Sequence, residues 1–423
     1  GGGTGTQMGA SGGAGGGAIQ LTVGGKLTVN GVISANGSNG ASVAVAYQGY
    51  SSGGGGSGGS VYLTVGTLDG AGMIRVNGGG GGSTVWNVGG GGAGGRIAVY
   101  FATNSFSGTT SASGGAGAQY GGAGTIYRKS TAQSFGELLV DNGGAAGATT
   151  PLPAAVYALD DLEVAGAAWL QLPTGTHTID NITVRSGTTL SLLPSDVLVQ
   201  FKHAQVLAGG VFYSASSSTD HPDDLLEIQP GGLACFNGFF NNAGTISVLG
   251  SLIVRPPQDA ILTTYTTVFS QLRAGVLGQS VRIWTNVNED PKPYTAVGSV
   301  LNGYPNNPNW TTFAAHTVQK GDVLLKYTWA GDGDFNGVIN ADDYHRIDSG
   351  YITQVGGYYN GDLNYDGVVN ADDYFLIDSA YIGQSGPLAA GLPQDVLAVG
   401  QGQVKKDGQP SLLATLFSTE PML

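Results

Sequence analysis

One pattern recurs along the first 255 residues and narrows the fold more than any other feature. It is a short alternating run of apolar residues, a turn containing glycine, and a second alternating run. It appears as "LTVGGKLTV" (21–29), "LEVAGAAWLQL" (162–172), "ITVRSGTTLSL" (182–192), "LEIQPGGLACF" (226–236) and "ISVLGSLIV" (246–254). Successive side chains of a strand point to opposite faces, so apolar residues at every second position turn one face inward. The units return at irregular intervals, which implies stacked repeats with insertions of variable length in the turns. The expected fold class is mainly β, a right-handed parallel β-helix (solenoid) in which each coil covers its neighbour. An antiparallel sandwich is the competing architecture. The lack of tight Asn-Gly hairpins between matched strands counts against it.

Glycine decides the character of the N-terminal part, because 43 of the 76 glycines precede residue 131. They flank near-copies of one unit, "GGAIQLTVGGKLTVNGVISANG", "GGSVYLTVGTLDGAGMIRVNG" and "GGRIAVYFATNSFSGTTSASGG". There is no G-X-Y period, which excludes collagen. The glycine runs have two physical readings, mobile loops or extended segments packed side by side where no side chain keeps the backbones apart. These coils resemble those of large bacterial extracellular β-helical proteins, a resemblance that covers about 1–130 and implies a surface or adhesin-like setting.

The remaining organisation follows from composition. Residues 1–135 are expected to be glycine-rich coils and 136–255 their continuation. Residues 256–330 form a small β-rich segment after "RPPQ", with strands at "TTYTTVFSQL" and "SVRIWTNV". An acidic module occupies 331–384, and a tail runs from 385 to 423. Its "SLLATLF" piece is either frayed or a strand added to another subunit. No apolar run reaches the length of a membrane span. No charged stretch followed by an apolar one opens the chain, so a secretory leader is expected to have been removed, or the chain to belong to a longer precursor. Cys235 is the one cysteine and reads as a small buried hydrophobe.

The net charge of −13 is concentrated in one place. Residues 331–384 hold ten Asp, no Glu and one basic residue, Arg346, whereas the first 130 residues hold a single acid, Asp69. Neither part carries the basic stripe that nucleic-acid binding needs. Within the acidic part, "GDGDFNGVINADDYHRIDSGYI" (331–352) returns as "GDLNYDGVVNADDYFLIDSAYI" (361–382). Calcium takes six to eight oxygens, and a twelve-residue loop wraps it with ligands at positions 1, 3, 5, 7, 9 and 12. Counted from Asp332, these are Asp334, Asn336, the carbonyl of Val338, Asn340 and Asp343. Counted from Asp362, they are Asn364, Asp366, the carbonyl of Val368, Asn370 and Asp373. Gly337 and Gly367 at position 6 allow the sharp turn. Ile339 and Val369 at position 8 anchor each loop in the core. Tyr344, Ile347 and Tyr351, matched by Tyr374, Ile377 and Tyr381, give each loop a following helix. The bland alternative is a pair of Asp/Asn-rich turns before ordinary helices. Two matches in register favour two Ca²⁺ ions.

Position 12 is Asp rather than the Glu of the usual EF-hand. The module thereby resembles dockerins, whose two calcium loops end in Asp and are each followed by one helix. The resemblance covers about 330–384. It implies a C-terminal α-helical, EF-hand-like pair and a cohesin-type partner. Positions 10 and 11, where dockerins often carry partner-reading Ser or Thr, are here Ala341-Asp342 and Ala371-Asp372. The apolar Phe375 and Leu376 replace His345 and Arg346, which predicts a second helix buried nearly all round. "VLLKYTWAG" reads as a strand that feeds loop 1 and braces the module on the preceding residues.

No catalytic constellation stands out, so no enzymatic activity is expected. The G-x-S-x-G matches "GASGG" (9–13), "GYSSG" (49–53) and "GGSGG" (55–59) lie in glycine runs, not between a buried strand and a helix. "GGKLT" does not complete a P-loop, and the five histidines never pair at metal-ligand spacing. Two acidic clusters, Asp160, Asp161 and Glu163, and Asp220, His221, Asp223, Asp224 and Glu227, read as solvated turns before strands. A glycosidase or polysaccharide lyase would need two such carboxylates to converge. The reading is thus a secreted, extracellular structural protein of a surface layer, matrix or filament. Self-association, a cohesin-like or other surface protein, and a glycan are its candidate partners. An adhesin or dockerin-type binding subunit and a β-helix carbohydrate-active enzyme are the alternatives.

Overall fold

The computed structural model describes residues 10–45, 49–192, 197–214, 224–238, 242–277, 279, 282–284, 294–304 and 307–388. The expected tail lies, beyond Leu388, outside them, as do Asp220, His221 and Asp223.

The alternating runs form strands, and the strands pair mainly in parallel. One sheet runs in chain order through Ala18–Thr28, Ser60–Gly70, Arg96–Phe106, Thr125–Ser130, Gly136–Asp141, Ala158–Ala165, Gly175–Val184, His203–Val206, Leu225–Ile228, Thr245–Val248 and Arg282–Trp284. Its one antiparallel step joins Thr125–Ser130 to Gly136–Asp141. A second sheet takes the partner run of each later unit, from Thr150–Pro151 to Ser251–Arg255. A third joins Val32–Ser34, Met73–Arg75 and Thr109–Ser111. The protein is mainly β with mostly parallel sheets, which removes the antiparallel sandwich.

Register stacks like on like. Leu162, Ile182, Ala204, Leu226, Ile246 and Ile283 form one inward column of the first sheet. Leu170, Leu190, Phe212, Ala234 and Leu252 form a column of the second. All eleven are essentially inaccessible to water. At about 1.5–3 kcal/mol per buried aliphatic side chain, these columns supply the main driving force of the body. A one-residue slip would turn every column outward, so register is strongly specified.

The glycine runs are packed segments, not loose loops. Gly13 and Gly16 donate to Gly54 and Ser57, Gly55 and Gly58 to Gly90 and Ala93, and Gly91 and Gly94 to Gln119 and Gly122, at 2.8–2.9 Å. In another direction Gly53, Gly56 and Gly59 donate to Ala41, Ser38 and Ala35, and Gly79 and Gly82 donate to Gly56 and Gly53. Donors to one neighbour recur every third residue, the repeat of a polyproline-II helix. That helix makes no internal hydrogen bonds, so its donors must be satisfied by the segments around it. Glycine is required by contact: a Cβ on Gly56 would lie 1.9 Å from the Ala14 carbonyl oxygen, and one on Gly92 would lie 2.0 Å from that of Gly56.

The segment 256–330 differs from its expected form. "TTYTTVFSQL" lies in a helix, α1 (Ile261–Val276), not a strand. Thr264, Val268, Gln271, Leu272 and Gly275 form its buried face, and this spacing outweighs the β propensity of its threonines. Gln271 exchanges hydrogen bonds with Asn242, Nε2 to the carbonyl at 3.0 Å and Asn242 Nδ2 to Oε1 at 3.1 Å, which ties α1 to the stacked strands. The strand Val323–Trp329 then pairs antiparallel with both Ser251–Arg255 and Thr295–Leu301. Pairing therefore crosses the boundary expected at 255/256. Val323–Trp329 leads directly into the acidic module, as the sequence predicts.

Candidate metal centre

Loop 1 begins where this strand ends. Asp332 is fully buried. Its Oδ1 accepts from Asn336 N at 3.1 Å, and its Oδ2 accepts from Gly337 N at 2.9 Å and from the Thr328 hydroxyl. Asn336 accepts from Val338 N at 2.9 Å. Gly337 takes φ 91°, the left-handed conformation that the position-6 turn demands. The loop closes on α2 (Ala341–Thr353). The Asn340 side chain caps the helix, and Asp343 accepts from Asn340 N at 3.0 Å and from Gly333 N at 3.0 Å. One carboxylate oxygen each from Asp332, Asp334 and Asp343 lie within 4.8 Å of one another.

Loop 2 repeats this plan before α3 (Ala371–Gly383). Asp362 is fully buried, and its Oδ2 accepts from Gly367 N at 3.1 Å and Gly357 N at 3.3 Å. Its Oδ1 is buried with no hydrogen-bond partner. Asn364 accepts from Asp366 N at 2.8 Å, Asp366 from Val368 N at 3.0 Å, and Asn370 from Asp372 N at 2.7 Å. Asp373 accepts from Leu363 N at 2.8 Å and Asn370 N at 2.9 Å. Among the described residues, only loop 1 brings three carboxylates within 4.8 Å of one another; in loop 2, Asp366 Oδ2 accepts instead from Asn364 Nδ2 at 3.1 Å. Ile339 and Val369 are buried as anchors, each 2% exposed.

The electrostatics are unfavourable without a cation. Burial first, and then repulsion from Asp373 and Asp366, raises Asp362 from 3.8 to about 6. Burial likewise raises Asp332, with Asp343 and Asp334 adding repulsion. Asp343 and Asp373 are also raised, chiefly by burial. Grouping buried carboxylates is costly unless a positive charge joins them. The unpartnered Asp362 Oδ1 and the all-oxygen donor sets fit a hard divalent cation.

Several residues that sequence reasoning missed hold the loops. Lys326 Nζ donates to the Phe335 carbonyl at 2.7 Å, and Arg273 Nη1 to the Asn364 carbonyl at 2.9 Å. Gln384 pairs with both backbone groups of Ile339, at 2.8 and 2.9 Å. These are long-range contacts with no local signature. Arg346, which Leu376 replaces in the second repeat, turns back toward Asp334 and Asp343. Its i,i+3 spacing from Asp343 was a readable signal. The expectation that α3 is buried nearly all round is corrected. Leu376 packs on the core, but Phe375, Tyr381 and Ile382 are 60%, 52% and 83% exposed.

The acidic clusters of the body fall elsewhere. Glu163 pairs with Arg185, and Glu227 accepts from His203 at 2.9 Å. These are not the solvated turns expected: Asp160, Asp161 and Glu163 lie on the strand Ala158–Ala165, Glu227 on Leu225–Ile228, and Asp224 is buried. Comparison with protein-family models, with curated proteins and with solved structures finds no match to the chain.

Proposed function

We propose that this chain is an extracellular structural protein whose acidic module binds two Ca²⁺ ions and is rigidified by them. Asp332, Asp334, Asn336, the Val338 carbonyl, Asn340 and Asp343 would hold one ion. Asp362, Asn364, Asp366, the Val368 carbonyl, Asn370 and Asp373 would hold the other. The observation that carries this reading is the burial of several carboxylates together, with one oxygen of Asp362 left unpartnered. Calcium supplies the charge that offsets their desolvation, and it stabilises the folded state by mass action wherever its concentration exceeds the dissociation constant. The dockerin-like duplication agrees with this role.

The body is read with it as a right-handed parallel β-helix, supported by the stacked inward columns. Among the described residues, the strand Ala18–Thr28 has one sheet neighbour, Ser60–Gly70, and its inward Ile19, Leu21, Val23 and Leu27 are only partly buried. An open edge of this kind invites association with a further copy in a layer or filament. Calorimetric titration of the metal-stripped chain tests the calcium reading, which requires two ions per chain. Electron microscopy over the same calcium range tests assembly. Dispersed particles throughout would reject the filament.

A second reading, a binding subunit of the dockerin type, is favoured by the exposed Tyr351, Ile352, Phe375, Tyr381 and Ile382 on the two helices. Replacing Ile352 and Ile382 by Ser would abolish capture of a cohesin-type partner under that reading, and would leave edge-to-edge assembly intact under the first.

A further inference from the structure

We infer that the two acidic loops bind calcium unequally and that Arg346 is the cause. Arg346 is a resident cation of loop 1, so loop 2 fills first and loop 1 responds only at higher calcium. The inference rests on the reading that both loops hold Ca²⁺.

The loops are matched in carboxylate count, although among the described residues only Asp332, Asp334 and Asp343 bring one oxygen each within 4.8 Å of one another. Each offers three carboxylates to its ion: Asp332, Asp334 and Asp343 in one, Asp362, Asp366 and Asp373 in the other. Each is also tied by one basic side chain to a backbone carbonyl, Lys326 on Phe335 and Arg273 on Asn364. Only loop 1 has a guanidinium on the carboxylates themselves. Arg346 Nη2 lies 3.5 Å from Asp334 Oδ2, and Nη1 lies 3.7 Å from Asp343 Oδ1. Both acids are ligand candidates, at positions 3 and 12. Arg346 Nε and Nη1 are buried without a hydrogen-bond partner, and the guanidinium carbon sits 5.0 Å from the centre of the Tyr359 ring. The side chain is therefore held by charge and by the ring face, not by a saturated hydrogen-bond network. Loop 2 carries Leu376 at the same place, packed on the core. Among the described residues, no ion pair reaches Asp362, Asp366 or Asp373.

A second observation points the same way. Both oxygens of Asp332 already accept hydrogen bonds, whereas Oδ1 of Asp362 accepts none. The position-1 carboxylate of loop 2 thus gains more from a cation. Charge count and rigidity set the affinity of such loops over several decades, so one unit of positive charge beside two ligands weakens loop 1 by about tenfold or more.

The test is calorimetric titration of the full, metal-stripped chain with CaCl₂, using wild type, Arg346→Leu and Asp366→Asn. Wild type is expected to show two steps separated by about tenfold or more. Asp366→Asn should weaken the tighter step and leave the other in place. Arg346→Leu, which installs the loop 2 residue, should tighten the weaker step by about tenfold. Should that variant lose its far-ultraviolet circular dichroism, Arg346→Gln, which removes the charge but retains a polar side chain, replaces it with the same expectation. Two equal steps in wild type, or a weaker step unmoved when Arg346 loses its charge, would overturn the inference while leaving calcium binding intact. Absence of any heat of binding would instead reject the two-ion reading beneath it.

Discussion

The phenolic hydroxyl of Tyr344 on α2 donates to the carboxylate of Asp378 on α3 at 2.6 Å, and Tyr374 on α3 returns the bond to Asp348 on α2 at 2.5 Å. The repeated sequences thus exchange the same bond across their helices. Each tyrosine also meets another edge-on, Tyr344 with Tyr381 and Tyr351 with Tyr374. Desolvation, then the Asp348 carboxylate, pushes the Tyr374 phenol up to about 12. Tyr344→Phe and Tyr374→Phe should each lower stability by about 1 kcal/mol, as expected for a partly exposed charge-assisted bond. The two bonds share no atom, so the double variant should lose roughly the sum. Urea unfolding followed by tyrosine fluorescence measures this. Equal midpoints for wild type and the double variant would show that the helices are held by packing alone.

Calcium removal should change the sign of the pH dependence of the acidic module. In a chelator, the folded Asp362 titrates near 6, against an ordinary value of 3.8. Between those values the folded chain binds more protons than the unfolded one. Stability of the metal-free form is therefore greatest in acid, falls as the pH rises through this window, and stays low above about 6. The loss is about 3 kcal/mol for this one carboxyl. Calcium needs the ionised carboxylates, so in its presence stability should instead rise from pH 4.5 to 7. Melting curves in a chelator and in millimolar calcium at both pH values distinguish the cases. A metal-free form more stable at pH 7 than at 4.5 would contradict the buried-carboxylate account.

The parts of the molecule that were legible in the sequence are those fixed by local periodicity. Alternation in "LTVGGKLTV" specified strands, and the spacing of Asp332, Asp334 and Asp343 specified a loop that turns three carboxylates inward. The parts that were not legible depend on distant partners. In "TTYTTVFSQL", β-branched residues favour a strand, yet burial of Val268 and Leu272 against the adjoining strands selects a helix. The glycine runs allowed two states because glycine carries no pattern. Only the three-residue recurrence of donors between runs shows that they pack. Arg346 was visible as a difference between the repeats. Its direction depends on Tyr359 and Asp334, which sequence spacing alone does not bring together.

Cys235 should be inert in the folded protein. It lies on the strand Leu233–Asn237, in register with Tyr213 and Ile253 on the face opposite Ala234; it is 4% exposed, and burial raises its thiol from 9.0 to about 12. The thiolate is the reactive species, so an alkylating reagent should leave Cys235 unmodified between pH 7 and 9 until the chain unfolds. Mass spectrometry after iodoacetamide, with and without guanidinium chloride, measures this. Rapid labelling of the native protein would mean that the strands around Cys235 open locally.

The packed glycine array makes the sharpest structural prediction, because neighbouring glycines in one run should respond in opposite ways. Gly92 and Gly90 lie in the same segment, and neither has a positive φ. A Cβ on Gly92 would sit 2.0 Å from the Gly56 carbonyl oxygen and 2.5 Å from its carbonyl carbon, atoms of a backbone that is itself bonded to Gly79 and Ser38. A Cβ on Gly90 meets nothing within 4 Å. Gly92→Ala must therefore separate two hydrogen-bonded segments, at a cost of about 3 kcal/mol or more. Gly90→Ala restricts only the unfolded chain and should be neutral or stabilising by up to about 1 kcal/mol. Amide hydrogen exchange over residues 53–59 and 77–82 reports the array directly, since the amides of Gly53, Gly56, Gly79 and Gly82 are its internal donors. Gly92→Ala should accelerate exchange across both segments, and Gly90→Ala should leave it unchanged. If both variants exchanged like wild type, the runs would have to be independent loops, and the three-residue bonding pattern would have no part in holding the N-terminal strands together.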